Sequence, residues 1–202
     1  MAPRALTVGF DLDMTLIDSR PGIHACYRAL SARTGTYIDA DLTVTRLGPP
    51  LVEELANWFP ADQVDTMADL YREMYVAIAI TETPAMPGAR EAIDAVRAAG
   101  GRAIVVTAKY EPNAKLHLEH LGIEPDAVIG DLWAEGKAQA LIAHGAGVYV
   151  GDHTGDVRGA RAAGALSVAV ATGPCSEEEL RAAGADVVLR DLGEFPAWLA
   201  RG

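Results

Sequence analysis

Short apolar runs alternate with longer helix-period stretches along most of this chain. Residues 5–10 (ALTVGF) form an apolar run that stops at Asp11, and similar runs occupy 102–107, 126–130, 147–151, 166–171 and 186–189. Each is too short for a globular helix and lacks polar alternation, which predicts strands buried on both faces. Between them, Ala-rich segments at 88–99, 111–121, 137–144, 156–163, 176–183 and 194–200 show helical spacing. Most of these are followed by Gly, the residue that best ends a helix in a left-handed conformation. Strand and helix alternate with short links, so the pattern predicts an α/β fold, a Rossmann-like parallel sheet with helices on both faces.

Residues 19–86 read differently. The stretches 20–33, 51–58 and 62–80 have helical spacing, as in Ile23, Tyr27 and Leu30, and no strand interrupts them. They are bounded by Ser19-Arg20-Pro21-Gly22 on one side and by Thr83 to Gly88 on the other. The pattern predicts a helical cap inserted after the first strand, 19–86, over an α/β core made of 1–18 and 87–202. The alternative is that these helices pack directly on one sheet face.

Composition narrows the partners. Half of the 202 residues are hydrophobic and the formal net charge is −11. A packed core is expected, whereas a nucleic-acid backbone or an anionic membrane would call for a basic face. An anionic small substrate stays compatible, because a metal ion and a few cations can reverse the field in one pocket. Cys26 and Cys175 have no ligand-like spacing. The N-terminal stretch has neither signal-peptide nor membrane-span character, and the expected location is the cytoplasm.

In wound parallel sheets, ligands bind beyond the carboxyl ends of the strands. There the chain places Asp11-Leu12-Asp13-Met14-Thr15, Thr107-Ala108-Lys109 and Gly151-Asp152-His153-Thr154-Gly155-Asp156, with Lys137 opening a helix. Carboxylates gathered at one edge repel each other unless a hard cation, magnesium above all, joins them, and such a cation also binds phosphate oxygen. Asp11 and Asp13 stand two apart, so one can attack while the other handles a proton. Thr107 can donate to a phosphate oxygen and Lys137 can neutralise charge on a transferring group.

The segments FDLDMTLIDS, VVTAK, Lys137 and VGDHTGD resemble the four ordered motifs of the haloacid dehalogenase-like hydrolase superfamily. The likeness is to its phosphoglycolate-phosphatase-like branch with a helical cap. The resemblance implies a magnesium-dependent phosphatase that acts on a small phosphorylated metabolite through an aspartyl-phosphate. It implies Asp11 as nucleophile and Asp13 as acid and base, with Thr107 and Lys137 on the substrate phosphate. Asp11, the Asp13 carbonyl and Asp152 would hold the metal, Asp152 more directly than Asp156, and Asp156 and Thr15 would support the site. Where this branch usually has Lys-Pro and Thr-Asn, the chain has Lys137-Ala138 and Thr107-Ala108, so Lys109 and Lys115 stand as rivals to Lys137.

Other readings stay open. A phosphosugar mutase of the same superfamily, or a non-catalytic phosphometabolite-binding protein, would keep the same motifs. Asp152 and Asp156 are also placed to cap the helix that follows them. Asp18 and Ser19 either shape the hinge or cap the helix at 20–33. Arg46 is placed to clamp a substrate group from the cap or to lie on its surface. His24 and His153 read as exposed side chains, and Trp58, Tyr71, Tyr75 and Trp133 as packing residues.

Overall fold

The computed structural model describes residues 6–201. Six short strands, β1 (Thr7–Phe10), β2 (Arg102–Val106), β3 (Ala127–Ile129), β4 (Val148–Gly151), β5 (Leu166–Val170) and β6 (Val187–Leu189), form one sheet in the order β3-β2-β1-β4-β5-β6. Every neighbouring pair is parallel. All six apolar runs are strands, with ends at most two residues from those expected; Ala5 of the first run lies outside the described residues.

Residues alternate across β2: Ala103 and Val105 join one buried apolar cluster, and Ile104 and Val106 join another on the opposite face. The sheet is therefore covered on both sides, which is why its strands read as continuous apolar runs. The flanking helices include α5 (Ala89–Ala98), α6 (Glu111–Leu121), α7 (Lys137–Ala143) and α8 (Thr154–Ala163). Helices α6 and α8 end on Gly122 and Gly164, both in the left-handed conformation, as the Gly punctuation predicted.

After β1 the chain passes through four helices before it returns to the sheet: α1 (Arg20–Thr34), α2 (Ala40–Thr43), α3 (Leu51–Leu55) and α4 (Val64–Ala79). The short α2 was not predicted; four residues cannot display a period, although Asp39 caps it by accepting from Leu42 N at 3.0 Å. Buried residues of this insert, among them Tyr27, Leu30, Leu55, Phe59, Tyr71 and Tyr75, form their own apolar cluster. The segments entering and leaving the insert pair with each other, Asp18 N donating to Pro84 O at 2.9 Å and Met86 N to Leu16 O at 2.9 Å. A two-stranded ribbon thus joins insert to sheet. Asp18 pairs with Arg20 there, while the buried Ser19 hydroxyl has no partner among the described residues. Among the described residues no helix is long and apolar enough to cross a membrane.

Candidate active site

Strand order decides where chemistry gathers. The chain moves from β1 outward to β2 and β3, then returns to lay β4 against the other side of β1. At that reversal the carboxyl ends of β1, β2 and β4 open a crevice. Asp11, Thr107 and Asp152 are the first residues beyond those three strands, and all are buried.

Lys137 stands beneath them with its side chain 1 % exposed. Its Nζ donates to Asp11 Oδ1 at 2.9 Å, Asp156 Oδ1 at 2.7 Å and the Tyr149 hydroxyl at 2.8 Å. Those three acceptors match the three hydrogens of an ammonium group. Burial works against this charge, yet Asp11 and Asp156 outweigh it and hold the Lys137 pKa above the ordinary lysine value. Tyr149 in turn donates to Val106 O at 2.6 Å, which fixes its ring under the lysine. Nothing local signals this role, since a Tyr inside a Val-rich strand reads as core.

Lys109 takes a different carboxylate. Its Nζ lies 2.8 Å from Asp13 Oδ1 and 4.9 Å from the centre of the Tyr75 ring. Burial raises the Asp13 pKa, but the ammonium of Lys109 overcomes that and holds it below the usual carboxylate value. Lys115 pairs with Glu111 on the surface at 2.6 Å and is not part of the cluster. Of the three rival lysines, then, Lys137 reaches Asp11 and Lys109 reaches Asp13.

The loop after β4 resolves the capping question. His153 is the N-cap of α8, its Nδ1 accepting from Gly155 N at 3.0 Å. Asp156 closes the capping box by accepting from His153 N at 3.0 Å, and its other oxygen meets Lys137. Both oxygens of Asp156 are therefore occupied. Asp152 caps nothing; its Oδ1 accepts from the Thr15 hydroxyl at 2.8 Å. A Cβ added at Gly173 would stand 1.7 Å from Asp152 Oδ2, so only glycine lets this carboxylate lie where it does.

One oxygen each from Asp11, Asp152 and Asp156 lie within 4.8 Å of one another, all on buried residues. Burial, then the charges of Asp156 and Asp11, drive the Asp152 pKa far above the normal range. Burial likewise raises that of Asp11 to about 7, against the pull of Lys137. With all four carboxylates ionised (Asp11, Asp13, Asp152, Asp156), the two ammonium groups (Lys109, Lys137) leave two negative charges, an excess that adds to burial in pushing Asp11 and Asp152 toward protonation. A divalent cation with oxygen ligands closes that balance. Asp11 and Asp152 each keep one oxygen without a partner among the described residues, so they are the better-placed ligands of the triad. Asp13 has no carboxylate oxygen in this cluster.

The Thr107 hydroxyl accepts from Lys109 N at 3.1 Å, which leaves its own hydrogen to donate. Above Asp11 and Asp13 opens a cleft of about 180 Å³ between sheet edge and insert, lined among others by Tyr27, Arg46, Tyr71, Tyr75 and Asn113. Arg46 is held by Glu54, which also accepts from Trp58 Nε1 at 2.8 Å. Tyr75 and Tyr71, expected only to pack, do so and also face the cleft. His24 pairs with Asp41 away from it at 3.0 Å. Trp133 packs on His153 with ring centres 5.1 Å apart, and Gly48 of the insert rests against both.

Known proteins share this chain's sequence pattern and fold. A profile of the haloacid dehalogenase-like hydrolase family matches residues 8–161, and a second, hydrolase-like profile matches 137–195. The chain is 30 % identical to a phosphoglycolate phosphatase of Caulobacter vibrioides over 94 % of its own length and 89 % of that protein. It is 32 % identical to the tyrosine-protein kinase PtkA of Mycobacterium tuberculosis, over 81 % of this chain and 61 % of that one. A haloacid dehalogenase-like hydrolase from Streptococcus pneumoniae superposes with a TM-score of 0.84 at 26 % identity, over 96 % of this chain and 98 % of its own. The site thus has the make-up of a phosphoryl-transfer centre built on paired aspartates, and the chain belongs to the haloacid dehalogenase-like hydrolase family. Within that family it is a phosphoric monoester hydrolase.

Proposed function

We propose that the protein is a magnesium-dependent phosphatase that hydrolyses a small phosphomonoester through an aspartyl-phosphate on Asp11. The observation that carries this reading is the charge balance of the cleft floor, two buried negative charges in excess with free oxygens on Asp11 and Asp152. Magnesium bound there by Asp11, Asp152 and the Asp13 carbonyl would supply positive charge to the phosphate oxygens and hold them in line with the nucleophile.

The side chains divide the remaining work. The free oxygen of Asp11 attacks phosphorus while Asp13 relays to the leaving oxygen a proton brought in by the phosphate monoanion; Asp13 then takes a proton from water as that water attacks the aspartyl-phosphate. Lys109 keeps Asp13 oriented. Thr107 donates to a phosphate oxygen. Lys137, with its hydrogens committed, contributes charge through Asp11 Oδ1 rather than a free hydrogen bond. Thr15 and Asp156 hold Asp152 and Lys137 in place. Residues 19–86 form a cap domain over a core of 1–18 and 87–202, and its closure excludes bulk water and selects the substrate.

The test is phosphate release from p-nitrophenyl phosphate. Activity is expected with magnesium, and little is expected with calcium, whose looser coordination misplaces the nucleophile. Full activity in excess chelator would contradict the metal assignment.

A further inference from the structure

Asp13 is steadied by more than its immediate partner. Lys109, which pairs with it, has its side chain 8 % exposed and lies on the wall of the cleft. An ammonium there is drawn both to Asp13 and to any anion that enters, and its flexible stem can follow either. If it turns to the anion, Asp13 loses the contact that orients it.

A second contact opposes that turn. Lys109 Nζ lies 4.9 Å from the centre of the Tyr75 ring, and Tyr75 belongs to α4 of the insert. That ring is 2 % exposed and packed between Tyr71 and His117, each with its ring centre 5.6 Å away. The Tyr75 hydroxyl meets Nε2 of His117, on α6, at 2.9 Å. Asp13, Lys109, Tyr75 and His117 thus form one line of contacts. It starts in the loop after β1, crosses into the insert and ends on a helix beside the sheet.

Packing alone does not call for histidine at the end of this line. His117 is fully buried, and its Nδ1 has no hydrogen-bond partner among the described residues, whichever nitrogen carries the ring proton. A leucine would fill the space without leaving a polar atom unpaired. What the imidazole adds is the hydrogen bond that sets the Tyr75 hydroxyl.

We infer that Tyr75 and His117 are positioning residues for proton transfer at Asp13, keeping Lys109 on Asp13 while a phosphate occupies the cleft. This rests on the phosphatase reading above and adds to it the residues that set its acid and base. Neither residue gives up a proton or touches phosphorus. Because Tyr75 comes from the insert, Asp13 is correctly set only while the insert is seated on the sheet.

The experiment measures kcat/KM of the full chain with magnesium on p-nitrophenyl phosphate and benzyl phosphate. Both leaving groups carry one aromatic ring, but only the basic benzyl alkoxide needs the proton that Asp13 delivers. The ratio of the two kcat/KM values therefore reads proton delivery, whereas a general disturbance of the cleft lowers both alike. Tyr75→Phe, which keeps the ring and removes the hydroxyl, is expected to lower the benzyl to p-nitrophenyl ratio by about tenfold, the scale of one lost hydrogen bond. His117→Leu should do the same, and His117→Gln, which can still bond the Tyr75 hydroxyl, should keep most of the wild-type ratio. An unchanged ratio in Tyr75→Phe, whether both rates fall or neither does, would overturn the inference and leave the phosphatase reading intact. That variant decides the matter even if His117→Leu fails to fold. No phosphate release from either ester by the wild type would remove the phosphatase reading itself, and the inference with it.

Discussion

Asp152 shows how a single carboxylate reveals what its surroundings require. It is buried, receives one hydrogen bond from Thr15 and has no lysine or arginine of its own. Its neighbours Asp11, Asp13 and Asp156 are each tied to an ammonium group. His117 is the opposite case, a buried base whose proton is unwelcome. Its Nε2 lies 2.9 Å from the Tyr75 hydroxyl, and burial, with the charge of Lys109 behind Tyr75, lowers its pKa from 6.5 to about 3, against the weaker opposing pull of Asp13. A base depressed on folding stabilises the folded state above its unfolded pKa, and that stability is lost as pH falls from 6.5 toward 3. Between pH 7 and pH 5 this single group should remove about 2 kcal/mol of unfolding free energy. Urea unfolding of His117→Gln, which can still bond Tyr75, is therefore expected to lose about 2 kcal/mol less than wild type over that interval. Parallel pH dependences would show that His117 is not held neutral by the fold.

At the scale of elements, the strands and the insert were readable because their signals are local. Continuous Val-rich runs mark strands buried on both faces, and a stretch of helix-period sequence between two Pro- and Gly-containing boundaries marks an insertion. The partnering of the lysines was not readable. Lys109 and Lys137 meet Asp13 and Asp11 across 96 and 126 residues, and only the sheet order decides which lysine meets which acid. Tyr149 and Gly173 were missed for the same reason, since each matters only through a contact remote in sequence. The ribbon formed by 16–18 and 84–86, with an apolar cluster centred in the insert, predicts that the sheet folds without the insert. Replacing 20–82 by a short Gly-Ser linker should leave a folded sheet domain that still cleaves p-nitrophenyl phosphate and no longer discriminates among alkyl phosphates. Circular dichroism and a substrate panel check this. Loss of cooperative unfolding would mean that insert and sheet form one unit, through contacts such as Leu116 and the Tyr75–His117 bond.

Across the whole molecule, an acidic chain has to attract and process an anion. The net charge of −11 makes the general field unfavourable to phosphate, so attraction has to be local. In the proposed reading two lysines, the Thr107 hydroxyl and a cation would concentrate it at the sheet's reversal point, beside a cleft lined by aromatic rings and by charged side chains of both signs. The ordered motifs made the family and the paired aspartates legible in the sequence, whereas the side chains that line the cleft are brought together only by the fold. The central claim is the division of labour between Asp11 and Asp13, and rapid-quench kinetics of Asp13→Asn on an aryl phosphate tests it most directly. An aryl leaving group departs without a proton, but hydrolysis of the intermediate still needs Asp13 to activate water. The expected trace is a burst of aryl alcohol about stoichiometric with enzyme, then slow turnover, with mass spectrometry finding the phosphoryl adduct on Asp11. An adduct on another residue, or an Asp13→Asn enzyme as fast as wild type on alkyl phosphates, would contradict the account.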